Sequence, residues 1–226
     1  PGSGLTIRTG NISATDIGIL GLNSSAGDLI IDTTAASVVA RGTAIYGGNL
    51  GSDVIIAAGA VSSSRGDGIF VQQAGTGAVS VTSGDVEGNR YGIRVKSDNN
   101  APITIDSRSG QVAGATNTGI FVRGRNIDIR SAGSSGGIEG IFAESYAGTL
   151  SIDSSAGDVT GGRESGINIF HHGTDARLRT GNATGVTQGD TAALSGAGQH
   201  PVNFTGVAPL DVIDVGGGAA GFDAWS

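Results

Sequence analysis

The amino-acid sequence predicts an all-β protein, a parallel β-helix in which each coil contributes three short strands. The first observation behind this prediction is that 42 of the 226 residues are Gly. The longest stretch without Gly, 93–109, is 17 residues long and contains Pro102. A long helix does not fit such a chain, because Gly and Pro disfavour helix interiors. The second observation is a repeat of about 24 residues among the apolar positions.

The clearest strand of each repeat is a pair of apolar residues at positions i and i+2. The first members of successive pairs are 25, 25, 24, 24 and 23 residues apart. Such alternation is typical of a strand whose apolar side chains all point to one side. The pairs are Leu29/Ile31, Val54/Ile56, Val79/Val81, Ile103/Ile105, Ile127/Ile129, Leu150/Ile152 and a weaker Ala176/Leu178.

A second strand precedes each pair, usually as Gly-Ile-x-Val, and a third strand supplies one apolar residue per repeat. Three strands per repeat describe one triangular coil, and equivalent residues of successive coils then stack about 4.8 Å apart. The second strands begin their apolar pattern at Ile19, Ile45, Ile69, Ile93, Ile120, Ile141 and Ile167. The third series is Ile12, Val38, Val61, Val86, Val112, Ile138 and Val159.

Small residues recur two positions after each apolar pair, and we expect them to form an internal ladder at a corner of the coil. Their hydroxyl groups are expected to bond to the backbone of the neighbouring coil. Glycine at the turns is expected to supply the positive φ of tight corners. The ladder is Thr33, Ala58, Ser83, Ser107, Ser131, Ser154 and Thr180.

The charge of the chain excludes several classes of partner. The net charge is −7, and Lys96 is the only lysine. Nucleic-acid binding needs a basic face, which no Lys or Arg cluster here is large enough to form. The acidity also argues against anionic membranes, and no apolar run reaches the roughly 20 residues that span a bilayer. Because Cys is absent, disulfides and thiolate ligands are excluded. We expect no cofactor, no nucleic-acid partner and no membrane insertion by this segment.

The combined motifs Gly-Ile-x-Val, Leu/Ile-x-Ile-x-Ser and Gly-x-Val, over about residues 5–181, resemble the passenger domains of bacterial autotransporters. These are the pertactin-like β-helices of type V secretion adhesins. The resemblance implies a right-handed β-helix, secreted through an outer-membrane β-barrel that is not part of this chain. It also implies an extracellular location on the bacterial cell surface and an adhesive or self-associating role. Pectin-lyase-like proteins and filamentous-haemagglutinin-like exoproteins share the general rhythm.

The repeat also suggests how the chain is organised. Residues 1–3 are interpreted as a remnant of cloning and residues 4–181 as regular coils. Seven to eight coils form a rod roughly 35 Å long. Residues 182–226 are expected to be an irregular continuation, with further coils cut from a longer passenger. The chain begins at Pro1 and contains no Met, which favours a mature or excised piece of a longer protein.

An Arg-Gly-Asp tripeptide lies at a predicted turn before the strand that starts at Ile69. It comprises Arg65, Gly66 and Asp67. Integrins bind this tripeptide by pairing its Arg with an acidic pocket and its Asp carboxylate with a metal ion. So short a motif also arises by chance, and the alternative is an ordinary polar corner that uses Gly for the turn.

Outward residues of the second strand form a column rich in aromatic side chains. Exposed apolar stripes usually mark interaction surfaces, and aromatic residues are favoured interface anchors. We therefore consider Tyr46, Phe70, Phe121 and Phe142 as candidate binding residues. The alternatives are that a flanking segment covers the column, or that the register is wrong by one residue. The column is Leu20, Tyr46, Phe70, Arg94, Phe121, Phe142 and Asn168.

No catalytic or metal-binding residue is predicted. Polysaccharide-cleaving β-helices need clustered acids on one face. Asp32, Asp106 and Asp153 share an outward position, but other residues, Arg130 among them, interrupt the series. The adjacent pair His171–His172 points to opposite sides of a strand and makes a poor shared metal site, so we interpret both as surface histidines.

The sequence thus favours a function that is not enzymatic. We expect a section of a surface-displayed autotransporter adhesin whose binding is spread over the faces of the rod. Its partner is then a protein or glycan of a host cell surface or extracellular matrix, or another copy of the chain. Two alternatives stay open, a passive stalk that presents another domain and a carbohydrate-active, pectin-lyase-like β-helix.

Overall fold

A computed structural model of the chain describes residues 3–99 and 101–185, together with the backbone of strands at 192–196, 200–201 and 213–215. The described residues form a parallel β-solenoid of about seven coils with three strands per coil and no helix. The predicted all-β solenoid fold is therefore confirmed. The expectations for residues 1–3 and 182–226 lie mostly outside the described residues.

The first face, which we call face 1, is a nine-stranded sheet whose strands follow chain order. Neighbouring strands of this sheet are parallel, except that the last two strands pair in the antiparallel direction. Its strands are β3 (Ile19–Asn23), β5 (Ile45–Asn49), β7 (Ile69–Gln73), β10 (Ile93–Ser97), β13 (Ile120–Gly124), β16 (Ile141–Ser145), β19 (Ile167–His171), β22 (Ala192–Gly196) and β23 (His200–Pro201).

Face 2 and face 3 belong to one 15-stranded sheet, because two long strands, β4 (Leu29–Ala40) and β6 (Val54–Ser63), continue around the corner between them. Face 2 holds the first halves of β4 and β6 with β1 (Leu5–Arg8), β8 (Val79–Ser83), β11 (Ile103–Ser107), β14 (Ile127–Ser131), β17 (Thr149–Ser154), β20 (Asp175–Thr180) and β24 (Ile213–Val215). Face 3 holds their second halves with β2 (Ile12–Ala14), β9 (Val86–Gly88), β12 (Val112–Gly114), β15 (Ser134–Gly136), β18 (Val159–Gly161) and β21 (Ala183–Thr184).

The core consists of columns of β-branched and leucine side chains that point into the coil. The first residue of every face 1 strand from β5 to β19 is an isoleucine with no exposed surface. On face 2, Val79, Ile103 and Ile127 pair in register and are almost completely buried. Burying each such side chain contributes about 1.5–3 kcal/mol. Because the same position is apolar in every coil, the core runs the length of the described rod.

One member of the predicted third series is wrong. The residue that pairs with Val112 and Val159 in β15 is Ser134, not Ile138. Ser134 is buried, and its hydroxyl donates to the carbonyl oxygen of Gly140 at 2.8 Å. This bond satisfies a polar group in an otherwise apolar column. Ile138 is half-buried in the following turn.

The glycines before the face 1 strands serve close packing rather than positive φ. Among the described residues, only Asn126, Gly133 and Gly148 have a positive φ. Gly92 shows the actual constraint, since a Cβ there would lie 2.5 Å from Cγ1 of Val112 and 2.8 Å from the carbonyl oxygen of Gly119. Among the described glycines, the expected positive φ is therefore found only at Gly133 and Gly148, whereas a glycine such as Gly92 lets adjacent coils and faces approach closely.

The predicted ladder of small residues is buried and in register, but its hydrogen bonds vary from coil to coil. The hydroxyl of Ser107 donates to the carbonyl oxygen of Arg130 in the next coil at 3.5 Å. Ser154 donates to the hydroxyl of Thr180 at 3.0 Å, whereas Ser131 bonds within its own coil. The ladder therefore joins neighbouring coils at two of its steps.

A buried amide column lies at the corner between faces 1 and 2, which the sequence analysis missed. The Asn23 side chain donates to Oδ1 of Asn49 in the next coil at 2.9 Å. Asn49 in turn donates to the carbonyl oxygen of Ser52 and accepts from the backbone of Gly51. These bonds satisfy buried backbone groups of the turn.

In the described part of the chain, no helix is long and apolar enough to cross a membrane.

The glycine packing predicts a large effect of one methyl group. We expect Gly92→Ala to destabilise the protein by about 1–3 kcal/mol, because the new Cβ overlaps Val112 and the backbone of the next coil. The measurement is the midpoint of urea unfolding followed by far-UV circular dichroism. The control is Gly10→Ala, where no atom lies within 4 Å of the new Cβ, and we expect a change within about 0.5 kcal/mol. Equal midpoints for the two variants contradict the packing argument.

Candidate interaction surface

Face 1 carries two outward columns of side chains, because alternate residues of each strand point away from the core. Strand pairing places the members of the predicted column side by side, so its register is confirmed; its binding role stays a prediction. The pairs run from Leu20 with Tyr46 to Phe142 with Asn168. The second column lies two residues further along each strand and contains Leu22, Gly48, Gln72, Lys96, Arg123, Glu144 and Phe170.

Aromatic rings of successive coils contact one another along this face. The ring centroids of Tyr46 and Phe70 are 5.0 Å apart in an edge-to-face arrangement. Phe121 and Phe142 stack at 4.9 Å, and Phe142 lies 5.5 Å from Phe170. These geometries are the favoured ones for aromatic pairs. As a result the rings are half-buried, and Phe142 is only 9 % exposed, so the face is less open to solvent than the sequence suggested.

Arg94 joins the two groups of rings. Its guanidinium carbon lies 4.7 Å from the ring centroid of Phe70 and 4.9 Å from that of Tyr91. The Tyr91 ring in turn lies 5.3 Å from Phe121. A guanidinium at these distances is attracted by the negative face of a ring. Arg94 therefore occupies the one position between Tyr46 and Phe142 in this column that lacks an aromatic residue.

Arg123 occupies the second outward column beside the stacked rings. Its guanidinium carbon is 5.1 Å from the centroid of Phe121 and 5.6 Å from that of Phe142. It also pairs with Glu144 at 2.6 Å. We call the whole set the aromatic–arginine row, which comprises Tyr46, Phe70, Tyr91, Arg94, Phe121, Arg123, Phe142 and Phe170.

Three cationic side chains lie in the middle of face 1, and two of them, Arg94 and Arg123, pair with the acids Asp67 and Glu144. Lys96 lies beside Arg123 in the second column. Its pKa is lowered, first by burial and then by the positive charges of Arg94 and Arg123. The middle of face 1 therefore combines aromatic rings with arginine side chains, two residue types that are enriched at binding interfaces.

The N-terminal end of face 1 is apolar and well exposed. Leu20, Leu22 and Leu50 are 52 %, 58 % and 64 % exposed. They lie around Tyr46, the first ring of the aromatic–arginine row. Large exposed apolar groups of this kind usually indicate an interaction surface.

The Arg-Gly-Asp tripeptide does not present both of its charged groups to solvent. Arg65 is exposed, but the side chain of Asp67 is only 3 % exposed. Its carboxylate lies 3.5 Å from Arg94 and 3.9 Å from Arg90. An integrin ligand needs a free carboxylate, so this geometry counts against that role, which stays an untested prediction. Asp67 instead pairs with Arg94, which contacts the rings of Phe70 and Tyr91.

Glu139 is a buried carboxyl group at the edge of face 1 that sequence reasoning missed. It is 7 % exposed and accepts hydrogen bonds from Thr118 at 3.0 Å and from Asn168 at 2.7 Å. Burial raises its pKa, and the two hydrogen bonds oppose that rise. Glu139 thus joins Asn168, the last predicted member of the column, to the preceding coil.

Groups that could perform chemistry are dispersed. In the described part of the chain, no three His, Cys, Asp or Glu side chains lie close enough to hold a metal ion. His172 is exposed, whereas His171 is half-buried with both ring nitrogens unbonded, and burial lowers its pKa. Asp106 and Asp153 are separated on face 2 by Arg130, as the repeat indicated.

The row is wider than the sequence analysis proposed. Tyr91, Arg123 and Phe170 belong to it but were not predicted. Arg123 and Phe170 lie in the second outward column, which the same strand alternation defines and which could have been examined in the same way. Tyr91 lies in the turn before β10, where alternation predicts nothing.

Comparison with known proteins identifies no relative: neither a protein-family model, nor a curated protein, nor a solved structure matches this chain.

The environment of Glu139 predicts a pH dependence of stability. A carboxyl group whose pKa is raised by folding stabilises the folded state most when the pH is below the ordinary pKa of 4.5. This stabilisation is lost as the pH rises through the pKa of the folded state. We expect Glu139→Gln, which cannot ionise, to gain stability relative to the parent as the pH rises from about 4 to about 8. The measurement is the urea midpoint across this range.

The matched control is Glu87→Gln, because Glu87 is exposed on face 3 and is not among the groups that raise the pKa of Glu139. We expect its difference from the parent to stay constant with pH. A Glu139→Gln variant that loses stability relative to the parent towards neutral pH contradicts the assignment, since the carboxylate would then be the favoured form.

Proposed function

We propose that this chain is a rod section of a bacterial surface adhesin of the autotransporter type, and that it attaches through the aromatic–arginine row. The observation that carries the proposal is the row itself, a continuous series of rings and guanidinium groups on the outside of one solenoid face. The β-solenoid fold is compatible with such a passenger. Its partner is a protein or glycan of a host cell surface or extracellular matrix.

The chemistry of the row supports a role in binding. Tyr and Arg are enriched among residues that dominate interface energetics, especially where apolar contacts surround them. In the row, the half-exposed rings of Tyr46 and Phe121 offer apolar edges, while Arg123 offers hydrogen-bond donors at the surface. Because the row extends over several coils, a partner that lies along the rod makes many weak contacts with it at the same time.

The rings also support a second candidate, a passive stalk. Each ring packs on its neighbour, and Phe142 is almost buried by these contacts. Rings that pack on one another in this way stabilise the rod without any partner. The two functions differ in whether removal of an exposed ring affects attachment.

The test uses beads coated with the protein and mixed with host cells. We expect the parent to attach, and we expect Tyr46→Ser combined with Phe121→Ser to reduce attachment about ten-fold, because two interface anchors are lost. Val39→Ser is the control, since Val39 is 48 % exposed on face 3. Circular dichroism establishes that each variant is folded. If the parent protein does not attach, the stalk function is favoured. If the folded double variant attaches normally, the aromatic–arginine row is excluded as the binding surface.

The Arg-Gly-Asp tripeptide is tested separately in the same assay. We expect Arg65→Ala to leave attachment unchanged, because the Asp67 carboxylate is buried against Arg94. Arg65 is exposed, so its replacement tests the tripeptide without disturbing the fold. Loss of attachment by this variant would show that the tripeptide is used and that Asp67 becomes accessible.

A further inference from the structure

The second outward column of face 1 begins with four positions of different chemistry. Strand pairing places Leu22, Gly48, Gln72 and Lys96 side by side in consecutive coils. Leu22 is well exposed. Gly48 carries no side chain, and a Cβ there would lie 2.8 Å from Cδ2 of Leu22 and 3.4 Å from Cε1 of Tyr46. From the N-terminal end, the column therefore offers an apolar group, a shallow space, an amide and an ammonium group.

The ammonium group of Lys96 differs from the other two cations in the middle of face 1. Arg94 and Arg123 each pair with an acid, whereas Lys96 has no ion-pair or hydrogen-bond partner within the described residues. Burial and then the positive charges of Arg94 and Arg123 lower its pKa, and the weaker attraction of Asp98 and Asp67 does not offset them. An anion bound beside Lys96 relieves this unfavourable arrangement of charge.

The Gln72 side chain supplies a second donor beside this ammonium group. Gln72 is exposed and pairs with Lys96 in the strand register. Its Oε1 accepts a hydrogen bond from the hydroxyl of Tyr46 at 3.5 Å, and its amide nitrogen, which can only donate, has no partner among the described residues. The two donors lie on strands about 4.8 Å apart, so they suit the two oxygen atoms of one carboxylate.

The rings of the aromatic–arginine row favour a peptide over a sugar as the partner. Phe121 and Phe142 stack at 4.9 Å with their planes 6° from parallel, so they turn their faces to each other and their edges outward. Arg94 lies over the ring of Phe70, and Arg123 lies over both stacked rings. A sugar stacks its C–H groups on a ring face, and these faces already contact groups of the protein. Ring edges carry partial positive charge, which attracts the carbonyl oxygens of a peptide.

The distance between the two ends of the column limits the partner further. Three coil steps separate Lys96 from Leu22, which is about 14 Å. An extended chain rises about 3.3 Å per residue, so its residues i and i+4 are about 13 Å apart. They also point to the same side, because side chains alternate along a strand. An acidic residue and a large apolar residue four positions apart can therefore reach Lys96 and Leu22 together.

We propose that the column Leu22, Gly48, Gln72 and Lys96 binds an extended, acidic segment of a partner protein that lies along the rod. A carboxylate of the segment binds between Lys96 and Gln72, and an apolar side chain four residues away packs on Leu22. The inference rests on the proposed function for the host origin of the partner, and it selects a protein over a glycan. Each contact is weak by itself, so attachment needs many copies that act together.

The first experiment uses the fact that Lys96 is the only lysine of the chain. Protein that contains isotopically labelled lysine gives a single ε-methylene resonance, which reports on Lys96 without a mutation. The probe is the peptide Thr-Glu-Thr-Ser-Thr-Leu-Thr-Ser-Thr-Glu-Thr, blocked at both ends, in which Glu lies four residues from Leu in either chain direction. We expect the resonance to shift with a dissociation constant of about 1 mM. We also expect the bound peptide to raise the pKa of Lys96, because a carboxylate favours the charged form.

Matched probes separate charge, spacing and type of polymer. In one peptide Gln replaces both Glu residues, and in another each Glu lies three residues from Leu and points away from the protein. We expect both to bind at least about five-fold more weakly than the probe. A hyaluronan hexasaccharide carries carboxylates without a peptide, and we expect it to bind more weakly by at least the same factor. Control peptides that bind as the probe does, or hyaluronan that binds better, overturn the inference.

Variants of the protein then assign the contacts, with saturation transfer to the Leu methyl groups of the probe as the readout. We expect Lys96→Gln and Leu22→Ser each to weaken binding at least about five-fold. Lys96→Arg is expected to retain binding, because a guanidinium group also binds a carboxylate. The matched controls are Arg41→Gln and Val39→Ser, since both residues are exposed and lie outside face 1, and we expect them to bind as the parent does.

Peptide binding and attachment to host cells are measured independently, so either proposal can fail while the other stands. A parent that binds the peptide but does not attach to cells supports this inference and contradicts the proposed function. A parent that attaches to cells but does not bind the peptide overturns this inference alone. The inference is also overturned if Lys96→Gln binds as the parent does, or if Lys96→Arg loses binding although circular dichroism shows it folded.

Discussion

The whole structure depends on the hydrogen bonds that join each strand to its equivalent in the next coil. They fix the separation between coils at about 4.8 Å, so any residue type that recurs in the sequence becomes a column in space. Inside the coil this gives continuous columns of isoleucine, such as that from Ile45 to Ile167. It also makes glycine necessary at positions such as Gly92, where the neighbouring coil and face leave no room for a Cβ.

The same spacing determines the chemistry of the surface. Rings one coil apart are at the favoured distance for aromatic contact, as Phe121 and Phe142 are. Charges one coil apart are close enough to interact, as Asp106 and Arg130 of face 2 are. Aromatic and charged side chains on a solenoid face are therefore arranged in columns that run along the rod. This is why binding is proposed along a face of the rod rather than in an enclosed pocket.

Sequence reasoning predicted the periodic features and missed the local ones. The strand registers and the outward column with Phe70 and Arg94 follow from alternation and repeat length, which are visible in the sequence. Ser134 was missed because the search followed apolar residues, and this coil uses a hydrogen-bonded hydroxyl instead. The buried carboxylates of Asp67 and Glu139 were also missed, since their burial depends on side chains of the following coil, Arg94 and Asn168.

The one-coil-at-a-time pairing also determines how the rod responds to mechanical load. The hydrogen bonds between coils run along the rod axis, so a pull on a terminal coil opens its pairs to a single neighbouring coil. Each coil that peels away releases about 25 residues, or roughly 80 Å of extended chain. A tethered rod of this kind lengthens in steps under tension, and it dissipates a sudden load while the remaining coils keep their fold.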